Sequence, residues 1–161
     1  ISTYGPDEAD RWPTFYNDVM DPEPGNRFRD ALSTGAPGHT IQSDMNYQPE
    51  DVVVEKNRFG AFIGSQGRLE AELRGRGIDT LLITGTVTNI CCETTAREAA
   101  ALAFKTVMVE DANAARNDEE HNATLSTFLQ AMGDVLPCQK VMSALRASSA
   151  GAPAKAVDLA S

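Results

Sequence analysis

Residues 79–104 read DTLLITGTVTNICCETTAREAAALAF, and this stretch decides the fold. Its first part, residues 79–87, reads as a buried strand: Leu81 to Val87 is apolar and β-branched without polar alternation, the pattern of a strand buried on both faces. Its last part, residues 91–104, reads as a helix, with Glu93 four residues before Arg97 at the spacing of a helical ion pair. Between them, Gly85-Thr86-Val87-Thr88-Asn89-Ile90-Cys91 turns strand into helix. A strand running into a helix is the repeating unit of a parallel sheet.

Downstream, residues 106–112 (TVMVEDA) read as the next strand. Asn117-Asp118-Glu119-Glu120 then opens a helix to about Met132, with Asn117 as cap and acids in the first turn. Residues 140–144 read as a last short strand, and residues 146–161 as a flexible tail. Upstream, residues 66–76 read as a helix with Leu69 and Leu73 on one face, ended by Gly75 and Gly77. Asp51-Val52-Val53-Val54-Glu55-Lys56 reads as a strand. Residues 1–48 are punctuated by Pro6, Pro13, Pro22, Pro24 and Pro37 and read as an irregular, loop-rich segment, either a functional lid or plain surface loop. The alternation β-α-β-α-β-α-β, without internal repeat or linker, predicts one α/β domain over residues 1–161, built on a mainly parallel sheet covered on both faces.

Composition narrows the function. With 161 residues the chain is long enough for a real core, and 42% hydrophobic with 23% charged residues is ordinary globular usage. A net charge of −9 argues against nucleic acid or an anionic membrane surface as the main partner, since both require clustered cations. No apolar run approaches the roughly 20 residues that span a bilayer. Three cysteines, Cys91, Cys92 and Cys138, make a poor disulfide framework and suggest a reduced, cytoplasmic protein. His39 and His121 share no ligand spacing, and His121 is expected to be exposed; no metal and no cofactor is expected.

In an open parallel sheet, ligands bind beyond the carboxyl ends of the strands. Lys56 and Cys91 both fall there. A thiol at a helix start meets unpaired N–H groups and partial positive charge, which favour the thiolate and also suit an oxyanion. Lowering a thiol from about 8.5 to about 6 requires roughly 3.4 kcal/mol. A helix end supplies about 0.3–2 kcal/mol, so a second cation or a base is needed, and Lys56 is the lysine placed at this edge. Cys92, about 100° further round the helix, and Cys138 are assigned to packing. Glu110 and Asp111 end a strand at the same edge, either orienting groups there or capping the next turn.

Three blocks, VVVEKNRFGAF (52–62), LLITGTVTNICCETTAREAA (81–100) and VMVEDANAARNDEEHNATL (107–125), resemble the isochorismatase-like cysteine hydrolase family, which includes isochorismatases, nicotinamidases and carbamoyl-amide hydrolases. The likeness spans roughly residues 50–145, and its most specific part is G-x-x-T-N-x-C followed by T-A-R-E-A. It implies a Rossmann-like three-layer αβα sandwich, Cys91 as nucleophile and Lys56 as a catalytic partner. It also implies a non-proline cis peptide at Val87–Thr88, with the oxyanion held by the N–H of Val87 or Thr88 and that of Cys91. Family members typically open a carbonyl–nitrogen bond of a small amide or ureide through a thioester, and many form dimers or tetramers.

One feature departs from the family. Its third catalytic residue is an Asp ending a first strand near the N-terminus, and no matching segment occurs here. Residues 1–4 resemble the tail of the family's second strand, while Asp7 and Asp10 do not match the motif. The expectation is a native protein with residues beyond these; a complete chain of this length is expected to be silent or to have its sheet completed by another chain.

The expected function is therefore a cysteine amidohydrolase acting on a small molecule, with Phe59, Phe62, Trp12, Phe15 and Tyr16 as candidate walls for a planar substrate. The alternatives are an isochorismatase-type vinyl ether hydrolase, in which the Cys is not essential, and a silent member serving as a binding or assembly module. A nicotinamidase is disfavoured, because that metal site uses N-terminal Asp and His residues and no His occurs in residues 1–38.

Overall fold

Pro22 and Pro24, read from sequence as breakers, instead start a helix, α1 (Pro22–Ala31). Proline fits the first helical turn, where its missing N–H has no partner to lose. In this computed structural model, residues 12–149 are described. They fall into two compact units, divided between Glu72 and Leu73. Residues 1–4, Asp7, Asp10 and the tail beyond Ser149 lie outside the described residues.

In the first unit the expected irregular stretch also holds a π-helical turn, Thr14–Val19, and a 3-10 turn, Pro37–His39. Two helices follow, α2 (Ala61–Gly64) and α3 (Arg68–Gly75), the latter matching the Leu69/Leu73 pattern. The expected strand over 51–56 is not a member of the sheet: residues 52–55 take no strand structure, and Val52 and Val53 are about half exposed. β-branched propensity makes a strand only where a neighbour offers a ladder.

The second unit carries the sheet: β1 (Thr80–Thr86), β2 (Lys105–Ala114) and β3 (Asp134–Leu136), all parallel, in the order β1-β2-β3. Between the strands run α4 (Glu93–Ala101) and α5 (Asp118–Ala131), and α6 (Cys138–Ser149) closes the chain. This is the expected α/β class. The strand expected at 140–144 is part of α6, and the last strand lies earlier, at Asp134–Leu136. Pro137 and the Asp111 carboxylate, which accepts from the Cys138 N–H at 2.7 Å, start that helix. Val141 is buried while Met142, Ser143 and Ala144 are all exposed, without the period-2 alternation of a half-buried strand.

The core lies where α4 and α5 meet β2: Cys92, Ala96, Met108, Leu125 and Phe128, with Ile83, Met132 and Val135 packed against it. Met108 faces this layer, so Val109, one residue on and also buried, faces the other side of the sheet. Gly133 fits only because it has no Cβ, which would collide with the Thr106 carbonyl oxygen and the Phe128 ring. β1 is more open than its sequence suggests, with Leu82 at 41% exposure. It is an edge strand among the described residues, paired with β2 alone.

The sheet is irregular where it approaches the chemistry. Between the pairs Ile83↔Met108 and Gly85↔Asn113, β1 advances two residues while β2 advances five. The Asn113 side chain crosses this bulge, its Nδ2 donating to the Ile83 carbonyl at 2.8 Å and the Val109 carbonyl at 2.7 Å. Gly85 sits at φ +123°, a left-handed value open to glycine and strained for other residues.

Candidate active site

β1 ends at Thr86, and the chain turns at its C-terminal edge through a π-helical segment, Thr88–Cys92, before α4. The Val87 carbonyl closes this turn, accepting from the N–H groups of Ile90 (3.1 Å) and Cys92 (3.3 Å). The helix expected to begin at Cys91 therefore begins at Glu93, with Cys91 in the turn that feeds it. The non-proline cis peptide is Thr86–Val87, one bond earlier than the expected Val87–Thr88.

Adjacent cysteines part company here. Cys92 is buried in the core beside α4, and its thiol reaches the Thr84 carbonyl only at 4.0 Å. Cys91 is a free thiol, half-buried in the turn. Behind it, Thr95 Oγ1 donates to the Cys91 carbonyl at 2.7 Å, tying the turn to α4. Arg97 forms the expected ion pair with Glu93 at 2.7 Å.

The first turn of α5 also reaches the Cys91 turn. Asn117 caps α5, accepting from the Glu120 N–H at 2.8 Å. Glu120 Oε2 accepts from Asn89 Nδ2 at 3.0 Å. Thr88, fully buried, shares a hydrogen bond of 2.9 Å between its Oγ1 and His121 Nδ1. His121, expected to be exposed, is thus half-buried and bonded to the turn. No residue spacing signals this contact, because its two ends are 33 residues apart.

Asp111 takes the second of its two expected roles. It caps α6, and the N–H of Cys138 holds its carboxyl below the usual carboxylate value. The same carboxylate, accepting from the Cys138 thiol, pushes that thiol above the usual value.

Lys56, in the first unit, donates to the carbonyls of Arg58 at 2.8 Å and Phe59 at 3.0 Å. Gly64 lets this loop close, since a Cβ there would stand 3.0 Å from the Lys56 Cβ and from the Arg58 nitrogen. Trp12, Phe15 and Phe59 form one half-buried aromatic cluster, with centroids 4.7 to 5.2 Å apart and the Arg58 guanidinium 5.1 Å over the Trp12 ring. Tyr16 and Phe62, offered with them as substrate walls, are buried, at 3% and 4% exposure. Val87, Thr88 and Cys91 thus share one turn of the second unit, while Lys56 and the aromatic candidates belong to the first. Among the described residues no helix is long and apolar enough to cross a membrane.

The family model for the isochorismatase domain matches residues 8–140. Nicotinamidase 3 of Arabidopsis thaliana is 38% identical over 95 residues, covering 59% of this chain and 47% of that protein. The ureidoacrylate amidohydrolase RutB of Variovorax paradoxus is 41% identical over 91 residues, covering 56% of this chain and 34% of that protein. The chain spans about half or less of the length of such curated relatives. Among solved structures, a cysteine hydrolase from Pseudomonas syringae pv. phaseolicola superposes with a TM-score of 0.70 at 29% identity, over 78% of this chain and 62% of that one. A match over most of the described residues, on a parallel sheet with a free cysteine at its C-terminal edge, has one reading: the chain belongs to the isochorismatase family.

Proposed function

We propose that this domain hydrolyses the C–N bond of a small amide or ureide, with Cys91 as the nucleophile. The observation that carries the reading is the different burial of two neighbouring free thiols: Cys92 packs in the core, while Cys91 is only half-buried in the turn leaving β1. The relatives named nicotinamidase and ureidoacrylate amidohydrolase support this bond type.

In the proposed reaction, Cys91 Sγ attacks the carbonyl carbon and the thiol proton passes to a base. The tetrahedral oxyanion meets backbone N–H groups of the turn, with Val87, Thr88 and Cys91 as candidates. The C–N bond then breaks, the nitrogen leaves with the proton, and a thioester remains on Cys91. Water attacks that thioester, releasing the acid and restoring the thiol. The family resemblance gives the base as a carboxylate and gives Lys56 the task of holding it.

The test is ammonia or amine release from a panel of small amides and ureides, by the protein and by Cys91→Ala. Turnover lost by about 10³-fold or more in the variant supports the nucleophile. Turnover kept in Cys91→Ala overturns it, and turnover of a vinyl ether alone, independent of Cys91, replaces it with the isochorismatase reaction.

A further inference from the structure

Two consecutive residues of the Cys91 turn are bonded to two consecutive residues of α5. Asn89 Nδ2 donates to Glu120 Oε2 at 3.0 Å, and Thr88 Oγ1 lies 2.9 Å from His121 Nδ1. The Glu120 carboxylate is fixed from its other side too, since its Oε1 accepts from Asn117 Nδ2 at 3.1 Å. The Asn89 amide is therefore oriented with its nitrogen toward α5. Its Oδ1 is buried with no hydrogen-bond partner among the described residues. An asparagine that leaves an acceptor unpaired is a poor choice for stability alone, because burying an unsatisfied polar atom is unfavourable. What the arrangement secures is the position of the turn, held at two points immediately before Cys91.

We propose that Asn89, Thr88, Glu120 and His121 are positioning residues, a two-point clamp from α5 that fixes the Cys91 turn in its reactive geometry. The proposal rests on the reading of Cys91 as nucleophile. A reacting atom displaced by about an ångström costs up to 10²-fold in rate, so a clamp outside the substrate's reach still sets turnover.

The test uses the alkylation rate of Cys91 by iodoacetamide near neutral pH, resolved by peptide mass spectrometry, with Cys138 on α6 as internal reference. Asn89→Ala and Glu120→Ala are each expected to slow Cys91 labelling by about 10-fold, and the double variant to slow it no further, because both remove one shared link. Loosening of the fold does the opposite and speeds labelling by exposing the thiol. Asn89→Asp with Glu120→Gln rebuilds the pair with donor and acceptor exchanged, and is expected to recover labelling relative to Asn89→Asp alone. Labelling at the unaltered rate, or faster, in both single variants overturns the clamp. If Cys91 of the unaltered protein reacts no faster than Cys138, the nucleophile reading falls and the clamp falls with it.

Discussion

Asn113 stands at the irregularity that opens the sheet beside the candidate site, and its replacement tests how the bulge is held. Its Nδ2 serves two main-chain carbonyls, those of Ile83 and Val109, at 2.8 and 2.7 Å. In Asn113→Ala both acceptors lose this donor, at about 1–3 kcal/mol for each group left unsatisfied. The Asn113 Oδ1 is itself buried without a partner, so its removal returns part of that cost. The net loss comes to about 2 kcal/mol. With a urea m-value of about 2 kcal/mol/M, the unfolding midpoint falls by about 1 M. Asn113→Asp is worse, because its carboxylate oxygens face two carbonyl oxygens, and at neutral pH a further ~1–2 kcal/mol is expected. The same crowding raises the folded-state pKa of the introduced Asp above its unfolded value of about 3.9. Relative to the Ala variant, the Asp variant is best off below the unfolded pKa, where its acid form donates to a carbonyl, and loses ground as pH rises through the raised folded pKa. Urea unfolding of both variants between acid and neutral pH reads this out. An Ala variant within about 0.5 kcal/mol of the unaltered protein, or an Asp–Ala gap that does not change with pH, refutes the reasoning.

Other parts of the structure make their own predictions. Gly133→Ala drives a Cβ into the Thr106 carbonyl and the Phe128 ring, so thermal unfolding should show a loss of about 3 kcal/mol, and a neutral substitution would contradict the packing described. Phe128→Ala empties the centre of the core and should cost about 3–5 kcal/mol by chemical denaturation. Asn117→Ala removes the cap of α5 and should cost about 1 kcal/mol, with Asn117→Asp retaining most of the capping. Asp111 is lowered in the folded state by the Cys138 N–H, so its contribution is present above the unfolded carboxylate pKa and fades as pH falls through the lowered folded value; Asp111→Asn should flatten that part of the stability profile.

What the sequence discloses follows from how local each signal is. β1, β2 and the Asn117 cap are legible because an apolar β-branched run, or a capping residue with three acids behind it, states its structure within a few residues. The separation of Cys91 from Cys92 is legible for the same reason: successive residues of a helical turn point about 100° apart and face different surroundings. α6 is misread as a strand because Lys140 to Ala144 is too short to show its period, and the cap that starts the helix, Asp111, comes from 27 residues earlier. The Val52–Val54 run misleads in the opposite sense, since strand propensity without a ladder makes no strand. Pro22 and Pro24 carry a double meaning, breaker inside a helix and starter at its first turn, which composition does not resolve. The links from Asn89 and Thr88 to α5, and the Asn113 bridge, are tertiary contacts of residues whose types are equally at home on a surface. They become visible only when the sheet brings the elements together.

The central claim is that a carbonyl carbon becomes bonded to Cys91. The most direct measurement is the mass of the peptide carrying Cys91, recovered by acid quench during turnover of an amide or ureide substrate. The account predicts an adduct on Cys91 equal in mass to the substrate less its leaving amine, absent from Cys92 and Cys138. An adduct of that mass carried by any other residue contradicts it.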